Sequence, residues 1–229
     1  MCGIYFFTKN SLIDKENIKR SLNHRGPDYN GQVDLKHSII GFNLLSIREK
    51  INFSKQPMIT ENEKFVIAFN GEIYNTDKLK RDFNLKVSSD SDSEVLNCLV
   101  NLKGLDFIKY IKGMFAIIIY DKDKELIHAY RDKSGQKNLY YLEGQEFFII
   151  SSEIHSLFES KILKKKVNYD SVYEACIIGY NANENTIFSN IKKLLPGQKI
   201  EYNLSKNQIT KIFYAQKYNH FENATIYES

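Results

Sequence analysis

The chain has 229 residues, 42% of them hydrophobic and 26% charged, and its 32 basic and 28 acidic side chains leave a formal charge of +4. That length suits one large domain, or one domain with a tail, and supplies a core without disulfide staples. The small, interspersed charge carries no nucleic-acid footprint, and the densest basic run, Lys164 to Lys166, reads as a solvated turn.

In chain order, a β-rich run at 3–7 (GIYFF) is followed by a helical stretch at 14–22 and β-rich runs at 32–42 and 64–69. Helical stretches then fall at 76–82, 92–102 and 105–111, with Val95, Leu99 and Leu102 as an apolar stripe. Runs at 114–120 and 125–130, split by the polar turn Asp121-Lys122-Asp123-Lys124, read as a hairpin. Further β-rich runs at 138–142, 146–150, 198–204 and 208–214 and helices at 153–159 and 169–178 complete the pattern. Helices interrupting blocks of antiparallel strands predict an α+β domain of two stacked sheets with helices outside. From about residue 215 the periodicity is lost, as in a tail or the start of a linker.

Cys2, Cys98 and Cys176 form neither a CxxC pair nor a Cys/His cluster at ligand spacing, which argues for a reducing compartment and against a metal site. No run approaches the roughly 18 apolar residues of a membrane span, and no signal-peptide pattern opens the chain. A cytoplasmic protein without membrane or nucleic-acid partners is expected.

Cys2 reads either as a small buried hydrophobe or, once Met1 is removed, as a nucleophile whose base is its own α-amine. Asn70-Gly71 reads as a hairpin turn or as a two-donor oxyanion hole formed by the Asn70 amide and the Gly71 N–H. Glu72 anchors that turn or binds a cationic group. In SSDSDSEVL, residues 88–96, Asp90 or Ser91 caps a helix, and Asp92 is the acid expected to face a pocket and hold a ligand ammonium. In HRGPD, residues 24–28, Gly-Pro makes a turn that an Arg25–Asp28 ion pair can lock. Cys98 and Cys176 are expected in the core, and the five histidines form no cluster.

Together, Cys2-Gly3-Ile4, His24-Arg25-Gly26-Pro27-Asp28, Asn70-Gly71-Glu72-Ile73-Tyr74-Asn75 and Ser91-Asp92-Ser93-Glu94 resemble, in order and spacing, the glutaminase domain of class II glutamine amidotransferases. Gly113-Met114-Phe115-Ala116, the run Arg131 to Lys137 with Leu139-Tyr140-Tyr141, Ser151-Ser152-Glu153 and Leu195-Pro196-Gly197 bring the likeness closest to glutamine-hydrolysing asparagine synthetase, over about residues 2 to 214. The resemblance implies a four-layer αββα N-terminal nucleophile hydrolase fold. It implies that Cys2 attacks the glutamine side-chain amide, that ammonia leaves, and that water hydrolyses the γ-glutamyl thioester. It further implies Asn70 and Gly71 as the oxyanion hole, Glu72 and Asp92 at the glutamine α-ammonium, and the strand with Leu44 and Ile47 lining the pocket. The expected division is a glutaminase domain over 1–214 and a tail or linker over 215–229. No cofactor is expected in this domain; ATP and Mg2+ belong to a synthetase domain or subunit, the expected partner alongside L-glutamine or a second copy of the chain.

Two departures stand out. Where the family strand begins with a carboxylate-binding arginine, this chain has Leu44, and no SGGxDS-type pyrophosphate loop occurs. Loss of a buried charge partner costs roughly 3 to 5 kcal/mol, and Arg48, some 13 Å further along an extended strand, is a poor substitute. A scaffold or regulatory domain that has lost glutamine binding is therefore the alternative, with hydrolysis of a different amide as a third reading. The docking face is expected to be apolar and exposed near residues 131–155 and the tail.

Overall fold

The computed structural model describes residues 2–10, 13–46 and 55–214. Strand β1 (Gly3–Thr8) is buried on both faces, so its apolar run is continuous rather than alternating. Ile4 and Phe6 point between two sheets, while Tyr5 and Phe7 point outward under helices.

Among the described residues each sheet has six antiparallel strands. The first follows the order β10 (Lys192–Lys193), β8 (Tyr140–Glu143), β9 (Phe148–Ser151), β1, β3 (Ser38–Leu44) and β2 (Tyr29–Asp34). The second follows β12 (Gln208–Phe213), β11 (Gln198–Asn203), β7 (Leu126–Arg131), β6 (Gly113–Asp121), β5 (Phe65–Ile73) and β4 (Met58–Ile59). Their facing side chains, among them Phe42, Ala68, Ile118 and Phe148, make the inner core. Helices α1 (Lys15–Ser21) and α4 (Ile154–Glu159) cover the first sheet, and α2 (Thr76–Phe83) and α3 (Asp92–Lys103) cover the second. The layers therefore run helix, sheet, sheet, helix, as expected.

Several local expectations change. The run 32–42 is two strands, because the polar Lys36-His37 pair sits in a turn closed by the Leu35 N–H to Ser38 carbonyl bond at 2.9 Å. Leu102 is exposed and Cys98 only half-buried. At about 100° per residue Leu102 points roughly 90° away from the mean direction of Val95, Leu96, Leu99 and Val100, which carry the packing instead. Cys176 is exposed, since α5 (Tyr169–Ile178) buries only Ser171. No large apolar side chain between 131 and 155 is exposed; Tyr169, Tyr173 and Ile177, spaced by four along α5, are 79%, 71% and 64% exposed. The predicted tail, 215–229, lies outside the described residues.

Candidate active site

Cys2 immediately precedes β1, whose antiparallel register pairs Gly3 with Asn43 and Ile4 with Phe42. One further step sets Cys2 beside Leu44, and both are packed with the inter-sheet core. Across the gap, β5 turns Val66 and Ala68 inward, and the two-residue period carries Asn70 and Glu72 to the same side. The sheets part here around a cavity of about 450 Å³ lined by Cys2, Leu44, Asn70, Gly71, Glu72 and Asp92, among others.

The backbone of Cys2 is held from behind. Arg25 donates through Nε to the Cys2 carbonyl at 3.0 Å and through Nη1 to Glu153 at 2.8 Å, and His24 adds a second contact to Glu153 at 3.0 Å. The expected Arg25–Asp28 pair does not form, because Asp28 accepts from the Ser46 N–H at 2.7 Å and so ties the turn to the cavity wall. Gly26 allows this approach: a Cβ there would lie 2.3 Å from the Asn43 carbonyl. The Cys2 thiol donates to the Leu45 carbonyl at 3.8 Å, a bond only the protonated form can make. Burial pushes the thiol up, against the nearby charges of Arg25 and Lys137.

Asn70-Gly71 is not a hairpin turn. Both residues lie within β5, opposite Ala116 and Phe115 of β6. Gly71 is required by close packing, since a Cβ would meet the Met114 carbonyl oxygen at 2.2 Å and Phe115 Cα at 2.7 Å. The Phe115 N–H and carbonyl are both turned to Asp132, so the Gly71–Phe115 pair is of the non-hydrogen-bonded kind. The Phe69 N–H meets Gln56 Oε1 at 2.6 Å and the Ile73 N–H meets Asp92 Oδ2 at 3.1 Å, both on the side away from β6. The Gly71 N–H, between them in the same phase, faces the cavity past the end of the short β4. Asn70 is 3% exposed, and its Nδ2 donor has no hydrogen-bond partner among the described residues.

The acidic segment divides its work. Glu94 folds back onto the N–H and hydroxyl groups of Ser88 and Ser89, and these bonds hold its carboxyl below the usual range even though burial alone would raise it. Asp90 pairs with Lys80 at 2.9 Å. Ser91 is the N-cap residue without a capping side-chain bond. Asp92 lines the cavity and fixes the end of β5.

Cys2, Leu44, Asn70, Gly71, Glu72 and Asp92 are thus brought to one cavity, while Ile47 and Arg48 lie outside the described residues. Sequence reasoning missed Gln56 and Lys137, which also line it. Lys137 was visible only as part of the longer motif beginning at Arg131, whereas nothing near Gln56 marks it. Among the described residues no group of three His, Cys, Asp or Glu side chains could hold a metal, and no helix is long and apolar enough to cross a membrane.

The chain is similar to known proteins over most of its length. Asparagine synthetase 2 (glutamine-hydrolysing) of Bacillus subtilis is 34% identical over 195 residues, covering 82% of this chain and 26% of the relative. Asparagine synthetase B of Escherichia coli is 32% identical over 161 residues, covering 66% and 29%. The chain spans less than half the length of these curated relatives. The glutamine phosphoribosylpyrophosphate amidotransferase of B. subtilis shares the fold, with a TM-score of 0.66 at 15% identity over 94% of this chain and 50% of that one. The model of the glutamine amidotransferase domain matches residues 1–218, and this chain is therefore a member of that family, in its class II, with the αββα sandwich of an N-terminal nucleophile hydrolase.

Proposed function

We propose that the domain hydrolyses glutamine and passes the ammonia to an asparagine synthetase-like partner. With Met1 removed, the Cys2 α-amine takes the thiol proton, and the sulfur adds to the glutamine δ-carbon. The oxygen that becomes negative lies between Asn70 Nδ2 and the Gly71 N–H. The tetrahedral species collapses, the amide nitrogen leaves as ammonia with the proton from the α-ammonium, and a γ-glutamyl thioester remains. Water, deprotonated by the same amine, then cleaves the thioester to glutamate and restores the thiol. Glu72 and Asp92 receive the substrate's α-ammonium. ATP and Mg2+ belong to the synthetase partner, and no residue of this chain is assigned to them.

The observation that carries this reading is the buried Asn70 donor, unpartnered among the described residues and lining the same cavity as Cys2. A buried amide donor left without an acceptor costs about 1 to 3 kcal/mol, an arrangement suited to an acceptor that arrives during reaction. The test is glutamate release from glutamine by protein whose mass confirms loss of Met1. Turnover abolished by Cys2→Ser, with a mass adduct on Cys2 from 6-diazo-5-oxo-L-norleucine, supports the reading. Absence of both turnover and adduct overturns it.

Leu44 favours a second reading, a scaffold that has lost glutamine binding, because its side chain is 3% exposed and offers the cavity no donor. Glutamine turnover that appears only in Leu44→Arg would support that reading.

A further inference from the structure

The cavity beside Cys2 carries both signs of charge. Glu72, Asp90 and Asp92 line it, and Lys137 is the one cation among its described lining residues. Lys137 is rigidly seated. One carboxylate oxygen of Asp132 accepts its backbone N–H at 3.0 Å and also that of Phe115 at 3.3 Å, the residue opposite Gly71. The other Asp132 oxygen accepts the N–H groups of Ser134 and Gln136. Arg131 ties down the same loop through the Gly135 carbonyl and Asn138 Oδ1. Lys137 is half-buried and lines the same cavity as Cys2, where its positive charge favours the thiolate.

A ligand complementary to such a space carries an ammonium for the carboxylates and an anion for the lysine. An α-amino acid with a side-chain amide does both. From its δ-carbon to its α-carboxylate, extended glutamine spans roughly 5 Å, comparable to the reach of a lysine side chain. The Leu44 wall supplies no competing cation.

We propose that Lys137 is the specificity-determining residue that binds the substrate's α-carboxylate. This rests on the reading of the cavity as a glutamine site. The lysine acts as a point charge rather than a bidentate fork, so it selects for the anion while constraining its orientation loosely.

The test titrates glutamine and 4-aminobutanamide, which is glutamine without the α-carboxylate, into Cys2→Ala protein by calorimetry. Adding Lys137→Met should weaken glutamine about 30-fold or more, leave 4-aminobutanamide within about threefold, and be largely repaired by Lys137→Arg. With Cys2 intact, Lys137→Met should raise KM for glutamine and spare kcat. Glutamine affinity unchanged within about threefold, equal losses for both ligands, or a fall in kcat with KM unchanged would overturn the assignment. Protein that binds glutamine through Lys137 without hydrolysing it would overturn the glutaminase reading and leave this inference standing. Protein that binds no glutamine would overturn both.

Discussion

Arg25 and Cys2 are joined by a side-chain to backbone bond of 3.0 Å, so the Cys2 carbonyl meets a guanidinium anchored in turn to Glu153. The carbonyl of Cys2 sets the direction in which its amine and thiol leave the backbone. Holding that oxygen therefore restrains the Cys2 thiol, which the proposed reaction uses as its nucleophile.

Glu153→Gln should reveal this arrangement. Burial works against the carboxylate, but hydrogen bonds from Arg25 and His24 leave its pKa below the ordinary value. Its contribution to stability is present above the unfolded pKa and is lost as pH falls through the lower folded value. The variant should lose about 1 to 2 kcal/mol in urea unfolding at pH 7. Glutaminase kcat should fall by about tenfold with KM nearly unchanged, the signature of misaligned groups rather than weakened binding.

Asn70→Ala should lower kcat for glutamine by about 100- to 1000-fold, the usual cost of one oxyanion donor. The melting temperature should hold or rise slightly, because the Nδ2 group it removes makes no hydrogen bond among the described residues and its burial costs free energy. Steady-state glutamate release with a parallel thermal melt checks both halves.

Gly71→Ala should damage fold and site together. Its Cβ would meet backbone atoms rather than a yielding side chain, so β5 and β6 must separate, at about 1 to 3 kcal/mol or more. Urea unfolding measures that loss. Activity should fall even at temperatures where the variant remains folded.

Acid should destabilise the protein through His128. Burial lowers its pKa to about 4, even though Glu201 lies 3.4 Å away and favours the charge. The unfolded chain, with a histidine near 6.5, binds more protons between those values. Stability should therefore decline as pH drops from about 6.5 towards 4, by at most about 3 kcal/mol from this residue. His128→Leu should flatten that part of the stability–pH curve.

Polar replacement of the α5 stripe, Tyr173→Ser with Ile177→Ser, should shift unfolding free energy by less than about 0.5 kcal/mol, because both side chains already face outward. A larger loss, seen by urea unfolding of the isolated chain, would place the stripe in a contact.

The layered fold was legible because buried strands announce themselves: GIYFF, KFVIAF and MFAIIIY are too short for buried helices and too apolar for loops. Ends and turns were less legible. The run at 32–42 hides a hairpin because its polar break is two residues long, and Cys176 precedes the apolar pair Ile177-Ile178 on a helix that little else covers. Residue identity made the Cys2, Asn70 and Asp92 positions readable as candidates. The sequence could not reveal that Asn70-Gly71 continues a strand, since Asn-Gly has the same composition in a turn and beside a close backbone crossing. Nor could it place Gln56 or Lys137, which reach the cavity through non-local pairings.

The side of β5 beyond β4 is an unusual sheet margin. A bare margin of outward N–H groups would recruit a strand from another molecule, and the usual defences are charge, proline or a covering segment. Here Gln56 and Asp92 seal the positions on either side of Gly71. A solitary donor between two sealed neighbours cannot template the alternating ladder an incoming strand needs. The domain can therefore keep an open backbone donor at its cavity without making that margin adhesive.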